Sequence, residues 1–205
     1  MRLVCNYTKS APIFAANKNP KDMIKRFLPL FAFSLVVFFA SCDDDDPIID
    51  NEEEVITRLV WTLTPDDAAN ETVTYSFVDT DGDGGNDPVV SSTGTLVANA
   101  SYAGSVTFAN EDEQITPEVM EEDDEHQVFY VVDGTLNLTP AYDDMDGDGN
   151  PLGLQTTVTT GDASFGNFTI ILRHEPMKDA AATIGNPAAA GGETDIEVTF
   201  GTAIQ

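Results

Sequence analysis

Apolar and polar residues alternate over many short stretches of this chain, and this feature limits its fold more than any other. In the segment 194–204, for example, Ile196, Val198 and Phe200 fall on one side of an extended chain. Because successive side chains of a strand point to opposite faces, such alternation predicts a strand with one buried face. Turn residues separate the segments, and we predict about eight strands from the stretches 55–64, 71–78, 101–109, 127–132, 136–142, 154–160, 167–174 and 194–204, with short strand pieces at 89–90 and 94–98.

One short helix interrupts the predicted strands. Thr116 is suited to cap a helix, and Pro117 to occupy its first position. Ile115 and Met120 have the spacing of a hydrophobic staple, in which two apolar side chains pack across the start of a helix. We therefore predict a helix from about Pro117 to His126.

Two further local patterns bear on the core and on strand pairing. The dipeptide Asp133-Gly134 separates two predicted strands and is typical of a β-hairpin turn. The alternation in the first strand predicts a buried face that comprises Val55, Thr57, Leu59, Trp61 and Leu63.

Many short strands with turn residues between them are typical of two packed antiparallel sheets. We predict an all-β fold for residues 55–205: an antiparallel β-sandwich, immunoglobulin-like in the loose sense, with about eight strands and one short helix.

Two loops rich in Asp and Gly follow predicted strands and share the pattern Asp-x-Asp-Gly-Asp-Gly. Calcium takes six to eight oxygen ligands, and such a loop supplies several carboxylates while glycine permits its sharp turn. Neither loop is an EF-hand, because the twelfth positions are Val90 and Gln155 rather than Glu. Two solvated Asp-Gly turns without a metal are the alternative. The predicted ligands of a structural calcium ion are Asp79, Asp81, Asp83 and Asp87 in the first loop and Asp144, Asp146 and Asp148 in the second.

Two histidines, each beside a glutamate, form a second candidate metal site. Glu125-His126 ends the predicted helix, and His174-Glu175 ends a predicted strand. Two imidazoles and two carboxylates are enough to bind a transition metal if the fold brings them together. The alternative is that His126 interacts with the helix dipole while His174 fills the edge of the core.

The segment before residue 42 has the features of a signal peptide. Lys25 and Arg26 precede an uncharged apolar run, 27–40, which is too short to span a membrane. Phe39-Ala-Ser-Cys42 resembles a bacterial lipobox, in which the cysteine carries a lipid and the peptide before it is removed. We predict a signal peptide over 1–41, of which 1–22 belongs to an over-extended gene start or a long n-region, lipidation of Cys42, and a tether over 42–54. An ordinary secretory signal with a chance cysteine is the alternative.

The charge of the chain is strongly acidic and unevenly distributed. The full chain carries a formal net charge of −27, and after residue 42 only Arg58, Arg173 and Lys178 are basic, against 35 acidic residues. Such a surface repels phosphates, so we expect no nucleic-acid partner. Cys5 and Cys42 are the only cysteines, so no disulfide can form after cleavage and lipidation, and metal ions are the more plausible cross-links.

Several stretches together resemble a group of uncharacterised lipoproteins from Bacteroidetes. They are Tyr75–Val78 with the loop after it, Glu125–Gln127, Gly149–Gly153, Ile171–Pro176 and Gly191–Phe200. The acidic run Asp43–Asp46 likewise resembles the export signal of surface lipoproteins in these bacteria. Such sequences are sometimes labelled "type 1 periplasmic binding fold", but that fold needs two α/β domains, which this pattern excludes. The resemblance implies an outer-membrane lipoprotein and brings no activity with it.

Three functions remain open. The first is a lipid-anchored, calcium-stabilised module on the cell surface that binds or adheres to an extracellular glycan, protein or cation. The second is a structural or accessory lipoprotein that faces the periplasm. The third is a metal-dependent hydrolase that uses His126 and His174. The sequence contains no nucleophile elbow and no phosphate-binding loop, and no carboxylate pair stands out, so we expect that the protein is not an enzyme.

Overall fold

The chain folds into two antiparallel β-sheets in a sandwich-like all-β arrangement, as predicted. The computed structural model describes residues 55–82, 85–110, 113–178 and 182–205. The predicted signal peptide, the lipidated Cys42, the tether and Asp83 lie outside these residues. The elements are β1 Arg58–Pro65, β2 Val73–Val78, β3 Val89–Thr93, β4 Ser101–Ala109, α1 Thr116–Glu121, β5 His126–Val132, β6 Leu138–Tyr142, β7 Gln155–Thr160, β8 Ser164–His174, α2 Pro187–Ala190 and β9 Glu193–Ile204.

The larger sheet has six strands in the order β3-β2-β1-β4-β7-β6, and the smaller one has three in the order β5-β8-β9. All the pairings are antiparallel. Leu96 forms an isolated parallel bridge to Ile204, which joins the end of β9 to the segment before β4.

Aromatic side chains fill the space between the sheets. The ring of Trp61 on β1 lies 5.2 Å from Tyr130 on β5 and 5.1 Å from Phe168 on β8, measured between centroids. Tyr75 on β2 meets Phe168 edge-on at 4.8 Å. All four side chains are almost completely buried. Burying each large apolar side chain contributes roughly 1.5–3 kcal/mol, so this cluster is a main source of stability.

The alternation in β1 is confirmed at Leu59, Trp61 and Leu63, which are fully buried. The predicted buried face was wrong at Val55, which is 69% exposed and precedes the first strand. The large sheet begins to pair only at Arg58, whose partners are Val78 and Ala109. Val55 therefore has no opposing strand to cover it in the described part of the chain.

The helix is shorter than predicted, and its start is built differently. It ends at Glu121, and His126 is the first residue of β5 rather than the last of a helix. Thr116 does not cap the helix: its hydroxyl accepts a hydrogen bond from the Phe108 backbone N–H at 2.8 Å. Met120 is 60% exposed, so the predicted staple is absent, and the helix is held instead by the fully buried Val119.

The predicted hairpin at Asp133-Gly134 was also wrong. β5 pairs with β8, and β6 pairs with β7, so the two strands around this turn belong to different sheets. The described residues contain nine strands rather than about eight, and a second helix, α2, which the sequence pattern did not predict, lies between β8 and β9. Ala182 and Ala190, at the ends of the stretch that contains this helix, cover Phe129 and Ile171 on the outer face of the small sheet.

Candidate functional site

The two histidines that the sequence places 48 residues apart are direct neighbours in the small sheet. His126 opens β5 and His174 closes β8, and the register pairs them. Their rings stack with centroids 4.8 Å apart and planes inclined by 12°. Neighbours of this kind have Cβ atoms about 4.5–5.5 Å apart, and both side chains point to the same face. The fold thus creates the histidine pair that the sequence could only suggest.

A carboxylate lies near each imidazole. Asp195 Oδ2 is 4.0 Å from His126 Nε2, and Glu125 Oε2 is 3.7 Å from His174 Nε2. The side chains of His126 and Asp195 are inaccessible to solvent, whereas that of Glu125 is 52% exposed. Glu175 takes no part in these contacts: its side chain is exposed, and its backbone N–H donates to the Glu125 carbonyl at 2.7 Å.

Burial favours the neutral form of His126. Burial lowers the pKa of His126 below its ordinary value, and this effect outweighs the hydrogen bond to the Glu122 carbonyl, which acts in the opposite direction. His126 Nδ1 lies 3.1 Å from that carbonyl oxygen and must carry the proton to donate to it. In the neutral ring Nε2 is then the basic nitrogen, and it faces Asp195.

Sequence reasoning missed Asp195. Among the many acidic residues that follow position 42, nothing in the sequence separates it from the others, and it becomes distinct only because β9 lies beside β8. In the part of the chain that the structure describes, no three His, Cys, Asp or Glu side chains already surround one point where a metal ion would sit.

The first Asp/Gly loop, between β2 and β3, folds around two carboxylates. Asp79 Oδ1 accepts a hydrogen bond from the Gly82 N–H at 3.1 Å, and Asp81 accepts from Asn86 through both its backbone and its side chain. A Cβ atom at Gly85 would lie 2.2 Å from Asp81 Cγ, so a side chain there would have to displace the Asp81 carboxylate. Asp81 and Asp87 are exposed and within reach of a cation from solution.

The second loop, between β6 and β7, is more enclosed. Asp144 accepts backbone hydrogen bonds from Gly153 at 2.7 Å and from Gln155 at 2.9 Å. Asp146 Oδ1 accepts from the Asn150 N–H at 2.8 Å, and its other oxygen pairs with Lys178 Nζ. Asp148 is exposed. The strands β2 and β3 lie at one margin of the large sheet and β6 and β7 at the other, so the two loops form separate candidate sites.

A cavity of about 610 Å³ lies beside the second loop and is bordered by Tyr142, Lys178 and Ile184 among others. Tyr142 donates a hydrogen bond to the Val128 carbonyl and accepts one from Gln127. Burial raises the pKa of Tyr142 well above its ordinary value, so this hydroxyl stays protonated. It links β6 of the large sheet to β5 of the small one.

Within the strands of the large sheet, the outward positions carry no acidic side chain, and Asp143, just after β6, borders them with its carboxylate 3.4 Å from Thr157 Oγ1. In the six described strands of this sheet, the outward residues, which alternate with the buried ones, occupy 19 positions. None of these residues is Asp or Glu, and twelve are Ser or Thr. The register aligns them in rows, one of which runs Thr93, Thr74, Thr62, Ser105 and Gln155. We call this surface the hydroxyl face; its positions are 58, 60, 62, 64, 74, 76, 78, 89, 91, 93, 101, 103, 105, 107, 139, 141, 155, 157 and 159.

None of the helices in the described residues is long and apolar enough to cross a membrane. Comparison of the chain with protein-family models, with curated proteins and with solved structures gives no match.

Proposed function

We propose that this protein is a lipid-anchored binding module of the outer cell surface that adheres to a neutral polysaccharide through its hydroxyl face. The observation that carries the proposal is the absence of carboxylates from that face, on a chain whose formal net charge is −27. Exposed acids are present elsewhere on strands, as at Glu193 and Glu197 on β9. On this face a neutral ligand displaces water without desolvating a carboxylate, and Arg58, at its margin, is the one charged residue among its positions.

The geometry of the face suits a neutral polymer of sugars. Strands lie about 4.8 Å apart, and outward residues on one strand recur about every 6.7 Å, so the Ser and Thr hydroxyls form a regular array of donors and acceptors. An anionic polysaccharide would be repelled by the acids around the face. A second copy of the chain would carry the same large negative charge to the interface, which makes self-association the less favourable occupant.

The lipobox-like Cys42 and the acidic run after it support the surface location. The Asp/Gly loops support stabilisation by calcium, since extracellular calcium sites bind weakly, at about 0.1–1 mM, and are filled outside the cell. Labelling cells with an alkyne fatty acid tests the anchor: the label should attach to the wild-type protein and be absent from Cys42→Ser.

Co-sedimentation with insoluble polysaccharides tests the binding face. The purified full-length protein, in calcium-containing buffer, is mixed with microcrystalline cellulose, chitin or starch, and with insoluble alginate as the anionic comparison. We expect binding to at least one neutral polymer, none to alginate, and a loss of tenfold or more in Thr107→Asp/Thr157→Asp. Both threonines are exposed on the hydroxyl face.

Thr199→Asp is the matched control, because Thr199 is also exposed on a strand, β9, but lies in the small sheet. Binding should be unchanged in this variant. Equal loss in both variants, or no sedimentation with any neutral polymer, would refute the role of the face. Self-association of the wild-type protein that the face variant abolishes would show that a second copy covers it instead.

A further inference from the structure

The end of the small sheet gathers the nitrogen and oxygen ligands of a transition-metal site. His126 and His174 are cross-strand neighbours, Asp195 comes from the adjoining strand β9, and Glu125 immediately precedes β5. Three separate segments thus bring two imidazoles and two carboxylates to the same end of the small sheet. This cluster belongs to the small sheet rather than to the hydroxyl face, and its metal chemistry does not depend on the function proposed for that face.

The two carboxylate–imidazole separations are too long for hydrogen bonds and slightly longer than the spacing of two ligands on one zinc ion. Zinc binds nitrogen at about 2.0–2.1 Å and carboxylate oxygen at about 2.0–2.2 Å, so two ligands of a tetrahedral ion lie about 3.4 Å apart. His126 Nε2 and Asp195 Oδ2 are 4.0 Å apart, and His174 Nε2 and Glu125 Oε2 are 3.7 Å apart, so each pair must close by a few tenths of an ångström to bind an ion.

The environment of His126 prepares it as a ligand. In metal sites a ligating histidine usually donates its second ring N–H to a carbonyl or carboxylate, which fixes the tautomer. His126 has this arrangement, with Nδ1 directed at the Glu122 carbonyl and Nε2 at a carboxylate. His174 Nδ1 is buried and has no hydrogen-bond partner among the described residues, so a rotation of its ring breaks no hydrogen bond at this nitrogen.

We propose that His126, His174, Asp195 and Glu125 bind one divalent transition-metal ion of the zinc class. Two imidazoles with two carboxylates suit such an ion better than calcium, which takes oxygen ligands alone. The His174 ring must rotate about its Cβ–Cγ bond for its Nε2 to join His126 Nε2 at the ion, while His126 keeps its hydrogen bond to the Glu122 carbonyl. Glu125, half exposed at the open side of the pair, supplies the movable ligand and the point of entry.

Zinc titration of the purified full-length protein tests the proposal, by calorimetry with the bound metal counted by mass spectrometry. Calcium at 5 mM is present throughout to occupy the Asp/Gly loops. We expect one zinc per chain with a Kd below 1 μM, weakened at least 100-fold in His174→Gln and in Asp195→Asn. Glu125→Gln, at a half-exposed position that does not support the core, should weaken binding about tenfold. Glu121→Gln, an exposed change in the nearby helix α1, is the matched control and should bind as the wild type does.

Nitrogen NMR of the imidazole rings in the wild-type protein gives a second measurement that needs no variant to fold. Zinc should move the Nε2 resonances of His126 and His174 while His126 Nδ1 keeps its proton. The proposal is overturned if zinc leaves both rings unshifted, or if folded His174→Gln and Asp195→Asn bind zinc as tightly as Glu121→Gln.

Discussion

Lys178 Nζ lies 3.1 Å from Asp146 Oδ2, and the two side chains are only 5% and 1% exposed. The same ammonium group donates to the Asp123 carbonyl, so one lysine ties the second Asp/Gly loop to the turn that follows α1. Burial alone would raise the pKa of Asp146, but the Asn150 N–H and Lys178 outweigh it and hold that pKa below its ordinary value. Lys178 therefore acts as a built-in cation for this loop.

Removing this cation should be costly. Lys178→Met leaves a buried carboxylate without its charge partner, and we expect a loss of about 3–5 kcal/mol in the free energy of unfolding. Lys178→Met/Asp146→Asn should recover most of the loss, because no uncompensated charge remains. Urea unfolding of both variants measures the difference; a loss below about 1 kcal/mol in the single variant would mean that the pair is not buried in solution.

Acid should act on the same pair. Because the pKa of Asp146 is lowered in the folded state, its contribution to stability is complete above the unfolded pKa of about 3.9 and is lost as the pH falls through the folded value. Urea midpoints measured from pH 6 down to pH 2 should fall less steeply in Lys178→Met/Asp146→Asn than in the wild type. Parallel curves would contradict the pairing.

Calcium should raise the melting temperature of the protein, chiefly through the exposed first loop. At about 5 mM calcium and a Kd near 0.5 mM, linkage gives about 1–2 kcal/mol for one site. Asp81→Asn reports on the first loop and Asp148→Asn on the second. Asp66→Asn, exposed in the turn after β1, is the control. Thermal melts with EDTA and with calcium make the test; an unchanged melting temperature in the wild type would identify both loops as solvated turns.

Alkaline pH should unfold the protein through its buried tyrosines. Burial raises the pKa of Tyr130 well above its ordinary value, and its hydroxyl donates to the Gly153 carbonyl at 2.8 Å. A raised folded pKa means that this stabilisation is complete below about pH 10, the unfolded pKa, and is lost as the pH rises towards the folded value. Tyr130→Phe should lose about 1 kcal/mol at pH 8 yet show a shallower decline between pH 9 and 11. Urea midpoints measured between pH 9 and 11 test this prediction. If the midpoint falls as steeply in Tyr130→Phe as in the wild type, Tyr130 is not the group responsible.

Gly104 on β4 should not tolerate a side chain. An added Cβ would lie 2.3 Å from Thr156 Oγ1 and 3.1 Å from both Trp61 Nε1 and Leu63 Cδ2, all of which are buried. We expect Gly104→Ala to destabilise the fold by about 1–3 kcal/mol through overpacking. Gly134→Ala, where an added Cβ meets nothing within 4 Å, is the control and should unfold at nearly the wild-type urea concentration.

The strands were predictable because each has one buried face, which leaves a period-two pattern. The pattern held at β4, where Tyr102, Val106 and Phe108 are buried, and at β9, where Ile196, Val198 and Phe200 are. Which strands pair was not predictable in the same way. The turn at Asp133-Gly134 has local hairpin chemistry, but β5 is buried on both sides only when it leaves the large sheet and pairs with β8.

The candidate sites were predictable in part. Composition identified the Asp/Gly loops and both histidines, since these residue types stand out along the chain. It could not reveal Asp195, one acid among many, whose role depends on the strand beside it. Lys178 is one of only three basic residues after position 42, which could have singled it out in the sequence. Its burial, which gives it a structural role, is shown only by the fold.

The strand order also governs when the chain can fold. Leu59 pairs with Phe108, Tyr102 with Val158, and Phe168 with Phe200, so each sheet joins segments that are distant in sequence. Such a topology has high contact order and folds in milliseconds to seconds rather than microseconds. The small sheet closes only when β9, which ends at Ile204, arrives. A ribosome-bound chain therefore cannot complete its core before β9 has been made.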